Sequence, residues 1–341
     1  MSRKRALITG ITGQDGSYLS ELLVDKGYEV YGLARRSSRD ISEPIEKLRL
    51  QKKVTVIHGD IRDTESIKHS LGIAKPDELY NLASQSHVGI SFDCTEETMA
   101  VNYHAAESLF NEALSVNSKV KIYQASSSEM FGNAAHPQNE STAFHPINPY
   151  GISKLLAYQK CVLENRIKRN AFVCSGILYN HESPRRGKNF ITRKITHSLV
   201  KIKLSLQDTL EVGNINSKRD WGYAKDYVEA MWQMMQQTDP DDFVIATGLL
   251  HSVKDIIDTT ARNLDINLNW VGKGVNTQAL NNAGKVIVKI NPEFYRPIDA
   301  TNLVGDSTKA RNTLGWAPSI DFEELISLMV QSDLNELKKH A

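Results

Sequence analysis

Six short apolar runs alternate with stretches of helical pattern through the first half of this chain, and that alternation leaves few folds open. The runs are Arg5 to Thr9, Tyr28 to Leu33, Val54 to Ile57, Asp77 to Leu82, Lys121 to Ala125 and Phe172 to Leu178. Helical patterns lie between them at 17–23, about 62–73 and 97–116. Another helix is expected to start at Pro149, where a missing N–H costs nothing. Strand and helix in turn, joined by short loops, predict an α/β fold with a doubly wound, Rossmann-like parallel sheet. After Asn180 the pattern changes to polar, basic stretches with short elements. Residues 276–291 read as an extended loop followed by a strand, and 307–314 and 322–330 as closing helices. The expected organisation is a nucleotide-binding domain over 1–179 with a returning segment at about 213–250. A smaller, discontinuous α/β substrate lobe would take about 180–212 and 251–341.

A chain of 341 residues with 40% hydrophobic and 24% charged residues has the composition of a globular enzyme. Its formal net charge of +1 gives no bulk field for nucleic acid or an acidic membrane. No apolar run is long enough to cross a bilayer, and the basic start at Met1 runs straight into a strand, so a cytoplasmic location is expected. The three cysteines are odd in number and lack metal-ligand spacing, which predicts free thiols and no metal.

Gly10, Gly13 and Gly16 follow the first strand and open a helix. Their spacing is one residue longer than G-x-G-x-x-G, but the physics is shared: backbone can approach a pyrophosphate at a helix N-terminus. The alternative is an ordinary strand–helix turn. The second strand ends at Ala34 and leads into Arg35, Arg36, Ser37 and Ser38. Two guanidinium groups and two hydroxyls suit a 2′-phosphate, which predicts NADP as the cofactor; a solvated basic loop is the bland reading. Asp60 either meets an adenine amino group or caps the helix that follows.

Tyr150 and Lys154, four residues apart on a helix, share one face. A neighbouring cation favours phenolate, so the tyrosine is expected to be depressed and to accept a proton. Lowering a phenol by about 3 pKa units needs roughly 4 kcal/mol, which one lysine and a cationic nicotinamide ring would supply together. This is machinery for moving a hydride at a carbinol carbon. Ser127, Ser128 and Glu129 follow the fifth strand, at the edge where such folds bind ligands. Ser127 would hydrogen-bond the reacting oxygen, and Glu129 would remove a proton from carbon beside a new ketone. Alternatively, the serines form a turn and Glu129 caps a helix. The cations of Pro184 to Lys188, with Arg193, Lys194, Lys218, Arg219 and Arg296, form either a diphosphate site or a solvated face.

The motifs ALITGITGQDGSYLSELL, YQASSSEMFG, NPYGISK, NHESPRRGKNF, KRDWGYAKDYVEAMW and EFYRP together resemble the extended short-chain dehydrogenase/reductase family and, within it, the GDP-mannose 4,6-dehydratases. The likeness spans nearly the whole chain. It implies NADP-dependent oxidation at C4 of GDP-mannose, loss of water across C5 and C6, and hydride return to C6. It places catalysis on Ser127, Glu129, Tyr150 and Lys154. Cofactor contacts fall on Gly10, Ile11, Thr12, Gly13, Gln14, Asp15, Gly16, Arg35, Arg36, Ser37, Ser38, Asp60, Ile61, Leu82, Ala83, Ser84, Gln85, Ser86, Tyr150, Lys154, His181 and Arg186. Substrate contacts fall on Ser86, Ser127, Ser128, Glu129, Asn180, Lys194, Arg219 and Arg296. A homodimer or homotetramer is implied. Where the family has a threonine, a tyrosine and a Gly-Ala pair, this chain has Ser127, Glu97 and Ala83-Ser84. The rival expectations are a reductase of the 4-keto-6-deoxy product, a dehydratase of another GDP-sugar, and a non-catalytic NADP sensor.

Overall fold

The computed structural model describes residues 3–35, 53–295 and 302–339. Arg36, Ser37, Ser38 and Arg296 lie outside the described residues.

Strands β1 (Arg5–Thr9), β2 (Glu29–Ala34), β3 (Val54–His58), β4 (Glu78–Asn81), β5 (Lys121–Ser127) and β6 (Val173–Leu178) form one parallel sheet with the strand Asp242–Ile245. From that seventh strand the order runs through β6, β5, β4 and β1 to β2 and β3. The chain therefore reverses direction across the sheet between β1 and β4, and this switch point opens a crevice beyond the strand ends. Both faces are covered, as parallel sheets require. Ala6 and Ile8 face one apolar layer and Leu7 the other, as period-two alternation demands. Helices Gln14–Asp25 and Ala224–Met235 cover the first face; Thr64–Ala74 and Ala105–Val116 cover the second.

A four-stranded sheet lies in the second half, in the order Asn269–Val271, Gln278–Leu280, Val286–Ile290, Leu210–Val212. Its apolar face packs with residues of helices Ile191–Lys203, Val253–Asn263 and Phe322–Lys338 in a separate cluster. Two short ladders, 180–182 with 221–223 and 218–219 with 251–252, run between these layers. Asp220 sits fully buried at this point, accepting from the N–H groups of Thr247 and Gly248 and the Thr247 hydroxyl.

Three local expectations need correction. The stretch read as a loop before one strand is a hairpin of two, because Asn281 and Gly284 turn the chain between them. The last helix runs to Lys338 rather than stopping at Val330, since Leu334 and Leu337 continue its apolar stripe into the second core. The stretch expected as one helix over 97–116 is interrupted by wide-turn helix at Ala100–His104.

Candidate active site

The crevice at the switch point is organised by Thr9 on β1. Its hydroxyl donates to the Asn81 side-chain oxygen at 2.7 Å and accepts from the backbone N–H groups of Leu82 and Ala83, both at 3.2 Å. Gly10 follows with φ +70°, and an added Cβ would lie 2.9 Å from the Ala83 nitrogen, so only glycine fits. At Gly16 a Cβ would come within 2.4 Å of the Gly10 carbonyl oxygen. Turn and helix are thus pressed together, leaving the N-terminal end of helix Gln14–Asp25 beside the crevice.

A cavity of about 360 Å³ opens here. Of the expected residues it gathers Gly10, Thr12, Gly13, Gln14, Asp15, Gly16, Leu82, Ala83, Ser84, Ser86, Ser127, Ser128, Glu129, Tyr150, Lys154, Asn180, His181 and Arg186. Ile11 lies in the core beneath the turn, and Ile61 is buried against Leu33 and its neighbours. Gln85 does not line the cavity; it is held by Asn102, Thr98 and the His87 backbone. Arg35 is exposed at the end of β2.

Asp60 does not cap the following helix. That helix begins at Thr64 and is capped by Asp63, whose side chain accepts from the backbone of Glu65 and Ser66. Asp60 instead binds Arg62 through its backbone N–H and guanidinium, at 2.7 to 3.0 Å. The Arg62 hydrogen bonds hold its carboxyl below the usual range.

On the β5 and β6 side, Ser127 ends its strand and its hydroxyl accepts from the Glu129 N–H, so the serine both caps the turn and lines the cavity. Glu129 is buried, with Oε2 accepting from the Asn148 side chain at 2.8 Å. Tyr150 and Lys154 stand on helix Pro149–Ala157, with the Lys154 ammonium 5.7 Å from the Tyr150 ring centre. The ammonium donates to the Ala125 carbonyl at 2.9 Å. The expected depression of Tyr150 is not produced by the chain's own groups. Burial pushes the phenol up to about 12, the Ser127 hydrogen bond opposing and the Glu129 charge reinforcing the rise. Burial likewise pulls Lys154 down to about 8.

The opposite wall carries a charged pair. His181 Nε2 lies 2.8 Å from Asp15 Oδ2, while Nδ1 lies 2.7 Å from the Tyr179 carbonyl oxygen. Both ring nitrogens face acceptors, so an imidazolium satisfies both. Burial pushes the His181 ring down, but the Asp15 charge outweighs it and leaves the imidazole raised. Asp15 is correspondingly lowered, its own burial being outweighed by His181. The ring also stacks on Tyr227, with centres 4.6 Å apart.

The expected cation cluster is mostly engaged by carboxylates. Arg185 pairs with Glu21 at 2.7 Å, Lys188 with Glu336 at 2.7 Å, and buried Arg193 with Asp333 at 2.6 Å. Arg186 lines the cavity while pairing with Glu182 at 3.2 Å. Lys194 lies outside the cavity lining with its ammonium over the Phe294 ring, and Arg219 is buried in its short ladder. Sequence reasoning missed Val88, Ala125, Ser126, Leu178 and Tyr179 in the lining, and it missed Asn148. The signal for Asn148 was available, because an asparagine before a first-turn proline is a natural helix cap.

The family model described as GDP-mannose 4,6 dehydratase matches residues 7–329. Among curated relatives, the chain is 46% identical to GDP-mannose 4,6 dehydratase 1 of Arabidopsis thaliana, over 99% of this chain and 91% of that protein. It is 44% identical to the Drosophila melanogaster GDP-mannose 4,6 dehydratase, over 99% and 88%. The Vibrio cholerae GDP-mannose 4,6-dehydratase matches at 42%, over 100% and 96%. Among solved structures, UDP-glucose 4-epimerase of Thermotoga maritima superposes with a TM-score of 0.82 at 22% identity, covering 97% of this chain and 99% of the other. RMD of Pseudomonas aeruginosa, complexed with NADPH, gives 0.75 at 19%, covering 97% and 100%. Those two likenesses concern the fold.

Proposed function

This chain belongs to the GDP-mannose 4,6-dehydratase family, and we propose that the cavity between the glycine turn and Tyr150 is where it carries out the family's reaction. The reaction is NADP-dependent loss of water from GDP-D-mannose, giving GDP-4-keto-6-deoxy-D-mannose. The juxtaposition of Glu129 with Tyr150 in one buried wall carries the proposal, because simple carbonyl reduction needs no second base.

The residues present fit a dinucleotide. The positive φ of Gly10 and the close approach at Gly16 leave backbone, not side chains, facing a pyrophosphate, and exposed Arg35 suits a 2′-phosphate. NADP, when bound, would supply the hydride acceptor for the sugar C4, the hydride donor for C6 and a positively charged ring. Ser127 holds the O4 hydroxyl and Tyr150 takes its proton. The phenol needs positive charge to do so, since in the chain by itself it is held near 12, chiefly by burial. Lys154, at about 8, keeps its ammonium at pH 7 and supplies part of that charge from one turn away. Glu129 then removes the C5 proton, which the adjacent ketone has made acidic, and hydroxide leaves C6 as water after taking up that proton. When hydride returns to C6, C5 takes up one proton, which balances the one Tyr150 removed from O4. His181 and Asp15 set the charge of the opposite wall, with Arg186 beside them.

We read residues 1–179 and about 213–250 as the nucleotide-binding domain, and about 180–212 with 251–341 as the substrate lobe. The separation of the second apolar cluster from the main sheet's layers supports this. Asn180 is the best-placed substrate contact outside the catalytic set, because it lines the cavity. Lys194, Arg219 and Arg296 are assigned by the family pattern alone. The family resemblance implies a homodimer or homotetramer, which light scattering would measure. Three free thiols fit a reducing, cytoplasmic setting. Among the described residues, no helix is long and apolar enough to cross a membrane.

Mass spectrometry of GDP-mannose incubated with the enzyme and a trace of NADP tests the activity. The expected product is lighter by one water (about 18 Da, by the elimination above) and exceeds the cofactor in amount. Unchanged substrate would refute the reading.

A further inference from the structure

We infer that Asn148 is a positioning residue for the elimination step: one amide fixes Glu129 and the Tyr150 helix to each other. The inference rests on the assignment of Glu129 as the C5 base. Asn148 is 2% exposed, and both ends of its amide are committed. Its Oδ1 accepts from the Gly151 N–H at 2.8 Å, capping helix Pro149–Ala157. Its Nδ2 donates to Glu129 Oε2, also at 2.8 Å. Turning the amide over would set Oδ1 against a carboxylate and Nδ2 against an N–H, so this orientation is locked. Packing reinforces it. A Cβ at position 151 would lie 2.5 Å from the Glu129 carbonyl oxygen, so the helix start rests directly on the Glu129 backbone.

Chemically, the amide donor holds the Glu129 carboxylate by Oε2 and so fixes its orientation toward the cavity. Among the described residues Oε1 accepts no hydrogen bond, which leaves one carboxylate oxygen for the substrate proton. The other titratable or charged groups around the cavity are Tyr150 and Lys154 on the same helix, Asp15 on helix Gln14–Asp25, Tyr179 just past β6, and His181 and Arg186 on the far wall. None of them hydrogen-bonds the Glu129 carboxylate.

Asn148→Asp separates the two duties. Aspartate caps a helix as well as asparagine does, but it sets a second carboxylate at hydrogen-bond distance from Glu129. Two carboxylates held that close favour sharing a proton, because their repulsion disfavours the doubly charged pair. The expected result is a melting temperature close to the parent's and normal C4 oxidation. Dehydration should slow on the order of 10- to 100-fold at pH 7. Quenched single turnovers should then trap the 4-keto sugar before dehydration, and the rate should recover toward the parent's as pH rises. Asn148→Ser, which keeps a cap but reaches no carboxylate, should slow dehydration without alkaline recovery. Equal slowing of oxidation and dehydration in Asn148→Asp, or parent-like dehydration at pH 7, would overturn the inference. Glu129→Gln, run alongside, distinguishes the two failures: if it dehydrates normally, the base assignment falls and this inference with it.

Discussion

Replacing Lys154 by methionine should make the protein more stable and inactive at once. The side chain is 3% exposed, and burial brings its pKa from 10.5 to about 8. That drop corresponds to roughly 3 kcal/mol for holding an ammonium away from water at pH 7. Methionine removes this penalty with a side chain of similar length. It also removes the hydrogen bond to the Ala125 carbonyl, on the order of 1 kcal/mol. The net gain is about 2 kcal/mol. With an unfolding entropy near 2.1 cal/mol/K per residue, a chain of this size should melt about 3 °C higher. The gain must depend on pH with a definite sign. Below pH 8 the lysine is charged in both states and the penalty is fully present. Between 8 and 10.5 the unfolded chain binds more protons, so parent stability rises with pH and the gap closes. Thermal melts of Lys154→Met and parent, without ligands, at pH 7 and stepwise toward pH 10 provide the assay, with turnover measured at pH 7. A variant less stable than the parent at pH 7, or a gap that does not change with pH, would refute the reasoning.

Gly16→Ala should lose about 1–3 kcal/mol of stability, because its Cβ would meet backbone at 2.4 Å; NADP titration should show weaker binding, and an unaffected Kd would count against the tight turn. Arg35→Ala should weaken NADP far more than NAD in parallel titrations, and equal losses would exclude a 2′-phosphate contact. His197 is brought down to about 4 by its burial and by Lys188 and Lys201. Parent stability should therefore fall as pH drops from 6.5 toward 4, where the unfolded chain takes a proton the folded one refuses. In His197→Phe that part of the slope, followed by denaturant melts, should flatten.

The parallel sheet was legible because each of its first six strands is a short apolar run ended by turn residues, as at Thr9–Gly10. Strand ends moved by a residue or two where polar ends continue the ladder: Ser126 and Ser127 still pair with Ile177 and Leu178. The hairpin at 278–290 was hidden because Gln278–Leu280 is too short to show alternation. At the site, residues adjacent in sequence and tied to glycine or Tyr-x-x-x-Lys spacing line one cavity. What the sequence could not give was partnership across the chain. Arg193 reads like Arg186 as a basic residue in a basic stretch, yet Asp333 claims it from far along the chain. Spacing likewise puts Lys154 near Tyr150 but says nothing of the burial that raises the phenol in the chain by itself.

Incubation of GDP-mannose carrying deuterium at C4 with the enzyme and NADP, followed by locating the label in the product, tests the central claim most directly. The account predicts a dehydrated sugar with the deuterium at C6, because the hydride taken from C4 returns within the same site. Deuterium lost to solvent, left at C4, or passed to a separate cofactor pool would contradict it.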